Sequence, residues 1–271
     1  MKVFITGVSG FVGRHLYDRY SSSHTVVSYQ RGQDVTEVLD AFQPDLILHA
    51  AAEIYDVNTI FESNVVLTMS ILEYVKQSRA QMISFGSTSE YGWRDIETSE
   101  STILHPHTAY AGSKAACTML CQGWATEFDL DIVTLRLYSV YGAGEKLHRM
   151  FPQLWKSFML DRTIQLVNGV HDFVYIRDVV DAVDLVVNNV NRTPGEVVNV
   201  SNGIEYTNEQ VLNMFESVLG RTAPVEFDRE RFVTQPVWRG NSDLLKNKYQ
   251  WQPKYDLRAG VTEFIQQAKY E

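Results

Sequence analysis

Tyr110 and Lys114 stand four residues apart, and Ser87 precedes them in the chain. Positions i and i+4 share one face of a helix, so the phenol and the ammonium would lie side by side. A cation beside a phenol favours release of its proton, which suits a tyrosine to acid/base work on a hydroxyl or ketone. Ser87, read as the end of a strand, is placed to hold the carbonyl oxygen that such a tyrosine would protonate. A second group, Gly7-Val8-Ser9-Gly10-Phe11-Val12-Gly13, follows the apolar run Val3–Thr6 and opens a helical pattern. Gly7 permits a tight turn, Gly10 lets backbone approach a pyrophosphate, and Gly13 lets helix pack closely on strand. The N–H groups at the start of that helix, with Phe11 and Val12 in its first turn, would face the phosphates. The spacing is one residue longer in its first interval than the usual dinucleotide fingerprint. Each motif is weak alone, since a glycine turn that binds nothing and a surface Tyr/Lys pair both arise by chance. Together, in this order, they point to redox chemistry with a dinucleotide cofactor.

The end of the second strand discriminates between riboses: a carboxylate there bonds a free 2′-hydroxyl, whereas a nearby Arg suits a 2′-phosphate. This chain reads Tyr29-Gln30-Arg31, with no carboxylate before Asp34. Arg31, Asp34 and Val35 are the candidates at this end, and the pattern favours NADP(H) over NAD(H). The alternative is a solvated Arg31 and an enzyme that accepts either cofactor.

These residues need a scaffold that brings strand ends together, and the apolar pattern supplies one. Strands are expected at Val3–Thr6, His24–Tyr29, Asp45–His49, Gln81–Phe85 and Asp131–Leu137. Helices are expected between them at Phe11–Tyr20, Val35–Phe42, Thr59–Ser78 and Tyr110–Phe128. Such alternation implies an α/β fold, a Rossmann-type doubly wound parallel sheet covered on both faces. Beyond Gly142 the rhythm loosens, with short strands at Ile164–Val167 and Glu196–Val200. Helices are expected there at Met150–Leu160, Arg177–Val190, Asn208–Leu219 and Leu257–Tyr270, whereas Ala223–Gly240, with Pro224 and Pro236, is poor in helix signals. The expected division is a cofactor domain over 1–142, with later segments interleaved, and a smaller C-terminal α/β substrate lobe mainly over 143–271.

A chain of 271 residues buries a large core. Its net charge of −9 argues against nucleic-acid binding, and the absence of Lys/Arg runs disfavours an anionic membrane surface. No apolar run approaches the roughly 20 residues needed to span a bilayer. Two cysteines, Cys117 and Cys121, share a helix face and form no disulfide framework, and no export signal follows Met1, so a cytoplasmic location is expected. No His/Cys/Asp/Glu spacing suggests a metal site. His105 and His107 read as surface loop residues, with a second catalytic acid as the alternative. Glu53 either faces substrate or is solvated on its loop, and His49 and Asn64 are expected to fix backbone.

The motifs extend beyond the catalytic set: His49-Ala50-Ala51-Ala52, Asn64-Val65, Ser87 to Gly92, Leu135 to Gly142, His171 to Val180 and Val198 to Ser201. On these the chain resembles, almost end to end, the extended short-chain dehydrogenases/reductases, the nucleotide-sugar epimerase/dehydratase/reductase family. The resemblance implies a Ser87-Tyr110-Lys114 catalytic triad, with Tyr110 and Lys114 also touching the cofactor. It further implies that Ala50, Ala51 and Ala52 line the cofactor, that Tyr138 lies near the nicotinamide, and that Thr88, Ser89, Ser139 and Arg239 approach a nucleotide-diphosphate sugar. Homodimers through the helix carrying Tyr110 are implied as well. Three departures narrow the expectation. Dehydratases of the family place Asp-Glu after the catalytic hydroxyl residue, where this chain has Thr88-Ser89. Many NAD-holding epimerases carry an acidic residue where Gln30 stands, and His171 occupies a position where Arg is common. The expected activity is NADPH-dependent reduction of a nucleotide-linked 4-keto-6-deoxysugar. The alternatives are an NAD-dependent nucleotide-sugar 4-epimerase and a catalytically silent cofactor-binding protein.

Overall fold

The computed structural model describes residues 1–232 and 237–268. Its first half alternates strand and helix: β1 (Lys2–Thr6), α1 (Phe11–Ser21), β2 (Thr25–Ser28), α2 (Val35–Phe42), β3 (Leu46–His49), α3 (Leu67–Ser78), β4 (Gln81–Ser87), α4 (Ala109–Phe128) and β5 (Ile132–Leu137). The second half is less regular: β6 (Ser139–Tyr141), α5 (Met150–Leu160), β7 (Ile164–Asn168), β8 (Val170–Tyr175), α6 (Ile176–Asn188), β9 (Glu196–Val200), β10 (Glu205–Thr207), α7 (Asn208–Leu219), β11 (Val225–Phe232), α8 (Asp243–Tyr249) and α9 (Leu257–Gln267).

Side chains alternate across a strand, and here both sets are apolar, so both faces of the sheet must be covered. Val3 and Ile5 of β1, Leu46 and Leu48 of β3, and Val133 and Leu135 of β5 belong to one hydrophobic cluster, which continues into the C-terminal half. Phe4 and Ile47, the residues between them, and Ile132, just before Val133, belong to a second cluster with Ile71, Leu72 and Val75 of α3 and Cys121 and Ala125 of α4. The strands pair in the order β2-β1-β3-β4-β5-β9, all parallel. This is a Rossmann-type doubly wound sheet. Parallel strands bring every C-terminal end to one edge, and the order reverses between β1 and β3, so the loops after them diverge and leave a crevice.

The glycine turn is built for that crevice. Gly7 has φ +74° and its amide neighbours the Ala50-Ala51 backbone, where an added Cβ would lie 2.6 Å from the Ala51 nitrogen. A Cβ at Gly13 would lie 2.1 Å from the Gly7 carbonyl oxygen. Two side-chain-free positions thus let β1, α1 and the loop after β3 converge.

Several elements differ from the sequence expectation. The helix expected over Thr59–Ser78 is a π-helical stretch, Phe61–Val66, running into α3. The wider turn brings Asn64 inward, where it is buried and bonded, and a simple helical period does not reveal such an insertion. Glu196–Val200, expected as a short strand, is β9 and pairs with β5 in the large sheet. The three-stranded sheet β10-β8-β6 has no counterpart in the expectation. Its strands run three to six residues, too short for a period to show, and β8 carries the polar pair His171-Asp172. Within the helix-poor Ala223–Gly240 segment, β11 pairs in parallel with β7. Pro236 and Tyr270 lie outside the described residues.

Replacing Gly13 by Ala forces the new methyl into the Gly7 carbonyl and should cost about 1–3 kcal/mol, as overpacking does. Gly123, mid-way along α4 with nothing within 4 Å of an added Cβ, is the control. Its replacement by Ala should stabilise by about 0.5–1 kcal/mol. Denaturant midpoints of the two variants read both effects; equal midpoints would show that the turn relaxes freely.

Candidate active site

A cavity of about 730 Å³ opens at the crevice. The glycine turn (Gly7, Val8, Ser9, Gly10) forms one side and the segment after β2 (Tyr29 to Val35) another. Ala50 to Ile54, the face Glu62, Ser63, Val66, Leu67 and Ser70, and Lys146 complete it. Among the sequence candidates, Gly7, Gly10, Arg31, Asp34, Val35, Ala50, Ala51 and Ala52 line this cavity. Phe11, Val12, Gly13, Tyr110, Lys114 and Tyr138 do not. Gly13 acts one layer behind, by letting α1 reach the turn. Asp34 is already engaged: its Oδ1 accepts the N–H groups of Thr36 (2.8 Å) and Glu37 (3.3 Å) as the N-cap of α2. Tyr138 is buried, its hydroxyl against Thr98 and its ring against Gly240, so the phenol points into the protein.

Sequence reasoning missed Lys146 and the Glu62–Ser70 face. No local motif marks them, because they reach the crevice from the loop after β6 and from the π-helical segment. Arg31 meets an anion there: its Nη2 lies 3.1 Å from Oε2 of Glu53. Glu53 therefore belongs to this cavity, where the sequence left it either facing substrate or solvated. Its Oε1 accepts the N–H groups of Ile54, Tyr55 and Asp56, and these bonds with the guanidinium pull its carboxyl down to about 2.

The alanine loop is pinned from below. His49 Nδ1 is 2.8 Å from Thr6 Oγ1 and its Nε2 is 2.9 Å from Thr68 Oγ1. Thr68 gives its one hydroxyl proton to the Asn64 carbonyl, so it accepts from His49 Nε2–H, and Thr6 donates to Nδ1. Thr6 Oγ1 in turn accepts the Ala51 N–H at 3.0 Å. Asn64 grips the Glu53 backbone from both sides, accepting its N–H and donating to its carbonyl, and also donates to Ser113 Oγ. Burial, reinforced by the Lys114 charge, pushes His49 down to about 3, so it stays neutral.

The catalytic candidates come from the end of β4 and the first turns of α4. Ser87 ends β4 and caps the 3-10 turn Thr88–Tyr91; its Oγ lies 2.8 Å from Ser89 Oγ and accepts the Ser89 N–H. Its own N–H donates to Glu90 Oε1 at 2.6 Å. Glu90 is held by Arg136 of β5 at 2.9 Å, with both side chains almost solvent-free at 0% and 2%. Thr108 caps α4, which brings Tyr110 into the first turn and Lys114 one turn on. α4 packs directly on β4 and on the 3-10 turn that follows Ser87. Lys114 is 7% exposed, yet among the described residues its ammonium has no hydrogen-bond or ion-pair partner. A buried cation without a partner fits a ligand hydroxyl, and the side-chain-free turn fits a pyrophosphate. The chain thus fits a dinucleotide cofactor at both ends.

Of the remaining candidates, Ser139 Oγ lies 3.1 Å from His171 Nδ1. Burial, aided by the Arg149 charge, pushes His171 down to about 4, so it is a neutral hydrogen-bonding group. Arg239 is paired with Glu97 at 2.8 Å. The neighbouring Gly240 N–H donates to Asp172, which also accepts from Asn202 and Gly203 and is pushed up to about 7 by burial. His105 and His107 are exposed, and their rings meet edge to face with centroids 4.6 Å apart. Cys117 and Cys121 are buried free thiols. Among the described residues no group of three His, Cys, Asp or Glu side chains could hold a metal ion, and no helix is long and apolar enough to cross a membrane.

The sequence profile of the NAD dependent epimerase/dehydratase family matches residues 3–201, and the chain belongs to that family. It is similar to an uncharacterized UDP-glucose epimerase of Bacillus subtilis (strain 168), with 24% identity over 98% of this chain and 97% of that one. It is equally similar to the GDP-6-deoxy-D-mannose reductase of Pseudomonas aeruginosa, with 24% identity over 100% and 99% of the two chains. Among solved structures, UDP-glucuronic acid 4-epimerase from Bacillus cereus in complex with UDP-glucuronic acid and NAD superposes with a TM-score of 0.87 at 22% identity, covering 98% of each chain. RMD from Pseudomonas aeruginosa complexed with NADPH gives 0.84 at 22% identity, again over 98% of each. The protein is accordingly an oxidoreductase-type enzyme of the extended short-chain dehydrogenase/reductase group, served by NAD(H) or NADP(H).

His49 gives the site a pH signature. An unfolded histidine takes up a proton near pH 6.5, whereas the buried one refuses it down to about 3. Its contribution is complete above about pH 6.5 and falls by about 1.4 kcal/mol per pH unit on acidification below that. In urea unfolding, the stability gap between wild type and His49→Asn should narrow by that amount from about pH 6 to pH 5. A constant gap would show that the folded protein binds the proton at His49.

Proposed function

We propose that the protein reduces the 4-keto group of a nucleotide-linked 4-keto-6-deoxysugar, with NADPH as its favoured cofactor. The observation that carries this reading is the corner of the cavity made by Gln30 and Arg31, an amide and a cation where a ribose-binding carboxylate would follow β2. Thr88-Ser89 after Ser87, in place of an acidic pair, argues against elimination of water. Bound NADPH supplies the hydride for C4 of the sugar. Ser87 holds the carbonyl oxygen, and Tyr110 delivers a proton to that oxygen as negative charge develops on it. Lys114 supports Tyr110 from the next turn and offers its unpaired ammonium to ribose hydroxyls.

In this reading residues 1–142, joined by β9 and α6, hold the cofactor, and the lobe mainly within 143–271 holds the nucleotide sugar. Phe11 and Val12 contribute at the phosphate end of α1, and Tyr138 backs the nicotinamide end through packing. Thr88, Ser89 and Ser139 approach the sugar, and Arg239 exchanges Glu97 for the substrate diphosphate. The working form is a cytoplasmic homodimer through α4. In support, Met119 on α4 and Phe61 on the π-helical stretch are 58% and 64% exposed on neighbouring helices. Sedimentation at twice the chain mass, lost on Met119→Glu, is the expected outcome; a wild-type monomer removes the dimer.

An NAD-dependent nucleotide-sugar 4-epimerase is the second reading. The observation in its favour is Glu53, whose carboxylate neutralises Arg31 and brings an acidic group to the same corner. Denaturing the purified protein and identifying any dinucleotide released separates the two. Stoichiometric NAD(H) supports the epimerase, whereas an empty protein that binds NADPH more tightly than NADH supports the reductase. Tyr110→Phe should lower turnover by at least about 100-fold, the scale of lost general acid catalysis, while cofactor affinity changes little. A Phe variant with the wild-type rate would overturn the assigned chemistry, and cofactor binding without turnover on any nucleotide sugar would favour a silent binding protein.

A further inference from the structure

The Arg31–Glu53 pair joins two unequal partners. The Arg31 side chain is 75% exposed and sits next to Gly32, on the segment between β2 and α2. Glu53 is 15% exposed and held from several directions. Asn64 clamps its backbone, and its Oε1 takes the N–H groups of Ile54 at 3.0 Å, Tyr55 at 3.1 Å and Asp56 at 3.3 Å. Only Oε2 faces the guanidinium. The carboxylate is therefore a fixed negative charge, and the arginine is an arm resting on it. A phosphate bound to the same guanidinium would lie within a few ångströms of that fixed charge, since both anions occupy one small cation.

We propose that Glu53 is a cofactor-specificity residue that acts against Arg31: it competes for the guanidinium and repels a 2′-phosphate, and so narrows the preference for NADPH over NADH. This rests on reading the cavity as the adenosine end of the cofactor site with Arg31 at the 2′-position. When a 2′-phosphate takes the arginine, Glu53 keeps its three N–H donors on Oε1 while Oε2 gives up its guanidinium contact, so the exchange costs that one charge pair. A free 2′-hydroxyl asks for no exchange, and NADH binds with the pair closed. The chain thus carries an NADP-type cation and its antagonist on neighbouring loops.

Titration calorimetry with NADPH and NADH on wild type, Glu53→Gln, Arg31→Ala and the double variant tests the proposal. Glutamine keeps a carbonyl oxygen for the three N–H groups and removes the charge. Glu53→Gln is expected to tighten NADPH by roughly fivefold or more and to change NADH by less than about twofold, the scale of a coupled charge pair. In the Arg31→Ala background the same change should gain less, because no guanidinium remains to be released. Glu53→Asp, which keeps the charge and draws it back by one methylene, should fall between wild type and glutamine. The proposal is overturned if Glu53→Gln leaves the NADPH:NADH ratio unchanged, lowers it, or weakens both cofactors alike as a purely loop-organising residue would. Failure of the underlying reading looks different: Arg31→Ala would then leave the ratio untouched, whatever happens at Glu53.

Discussion

A carboxylate and a guanidinium, both nearly free of solvent, stand between β4 and β5 and set the geometry of this site. Glu90 and Arg136 cannot be left unpaired at that depth, because a single buried charge costs several kcal/mol, on the order of 3–5 when its partner is removed. The pair is satisfied on every side. Arg136 Nε and Nη2 hold Glu90 while Nη1 donates to the Tyr91 hydroxyl, which donates to Asn199 of β9. Glu90 takes the Ser87 N–H, and Gly86 leaves the room it needs, since a Cβ there would lie 2.7 Å from Glu90 Oε1. The position of Ser87 is thus a consequence of charge pairing inside the sheet, and three neighbouring strands are tied to it.

Most of the charged side chains named so far are already engaged. Arg31 is paired with Glu53, Arg239 with Glu97 and Arg149 with Glu145, while His49 and His171 are kept neutral by burial. Lys114 differs from all of these, being buried and without a partner among the described residues. An arginine that is already paired takes a new anion only by exchanging one for another, which favours shape and register over raw attraction. Lys114 stands one helical turn beyond Tyr110 on α4.

Much of this was legible in the sequence, for identifiable reasons. The glycine turn, the Tyr110/Lys114 spacing and the strand–helix alternation are local patterns, and each specifies geometry within a few residues. The strands of the first half were visible because both faces of a parallel strand are apolar. Where the sequence was silent, the cause was non-local. β6, β8 and β10 are short and hold polar residues that are buried only because others satisfy them, as Asp172 is by three N–H groups. The Phe61–Val66 insertion is stabilised by what Asn64 reaches across the loop, and no helical period records that.

Sequence alone determined the family and the fold class, because these depend on residue types at fixed short spacings, and it singled out Ser87, Tyr110 and Lys114 as the catalytic candidates. Its place after the second strand also marked Arg31 as a candidate, and Arg31 lines the cavity. Tertiary structure decided what surrounds each of those residues. Glu53 lies 22 positions from Arg31 in the chain and meets it only because β2 and β3, whose following loops carry the two residues, flank β1 in the sheet. Lys146 reaches the same cavity from the loop after β6, and Tyr138 turns inward because Thr98 and Gly240 receive it. Pairing of charges and burial of polar groups are contacts between distant segments, so the packed chain settles them.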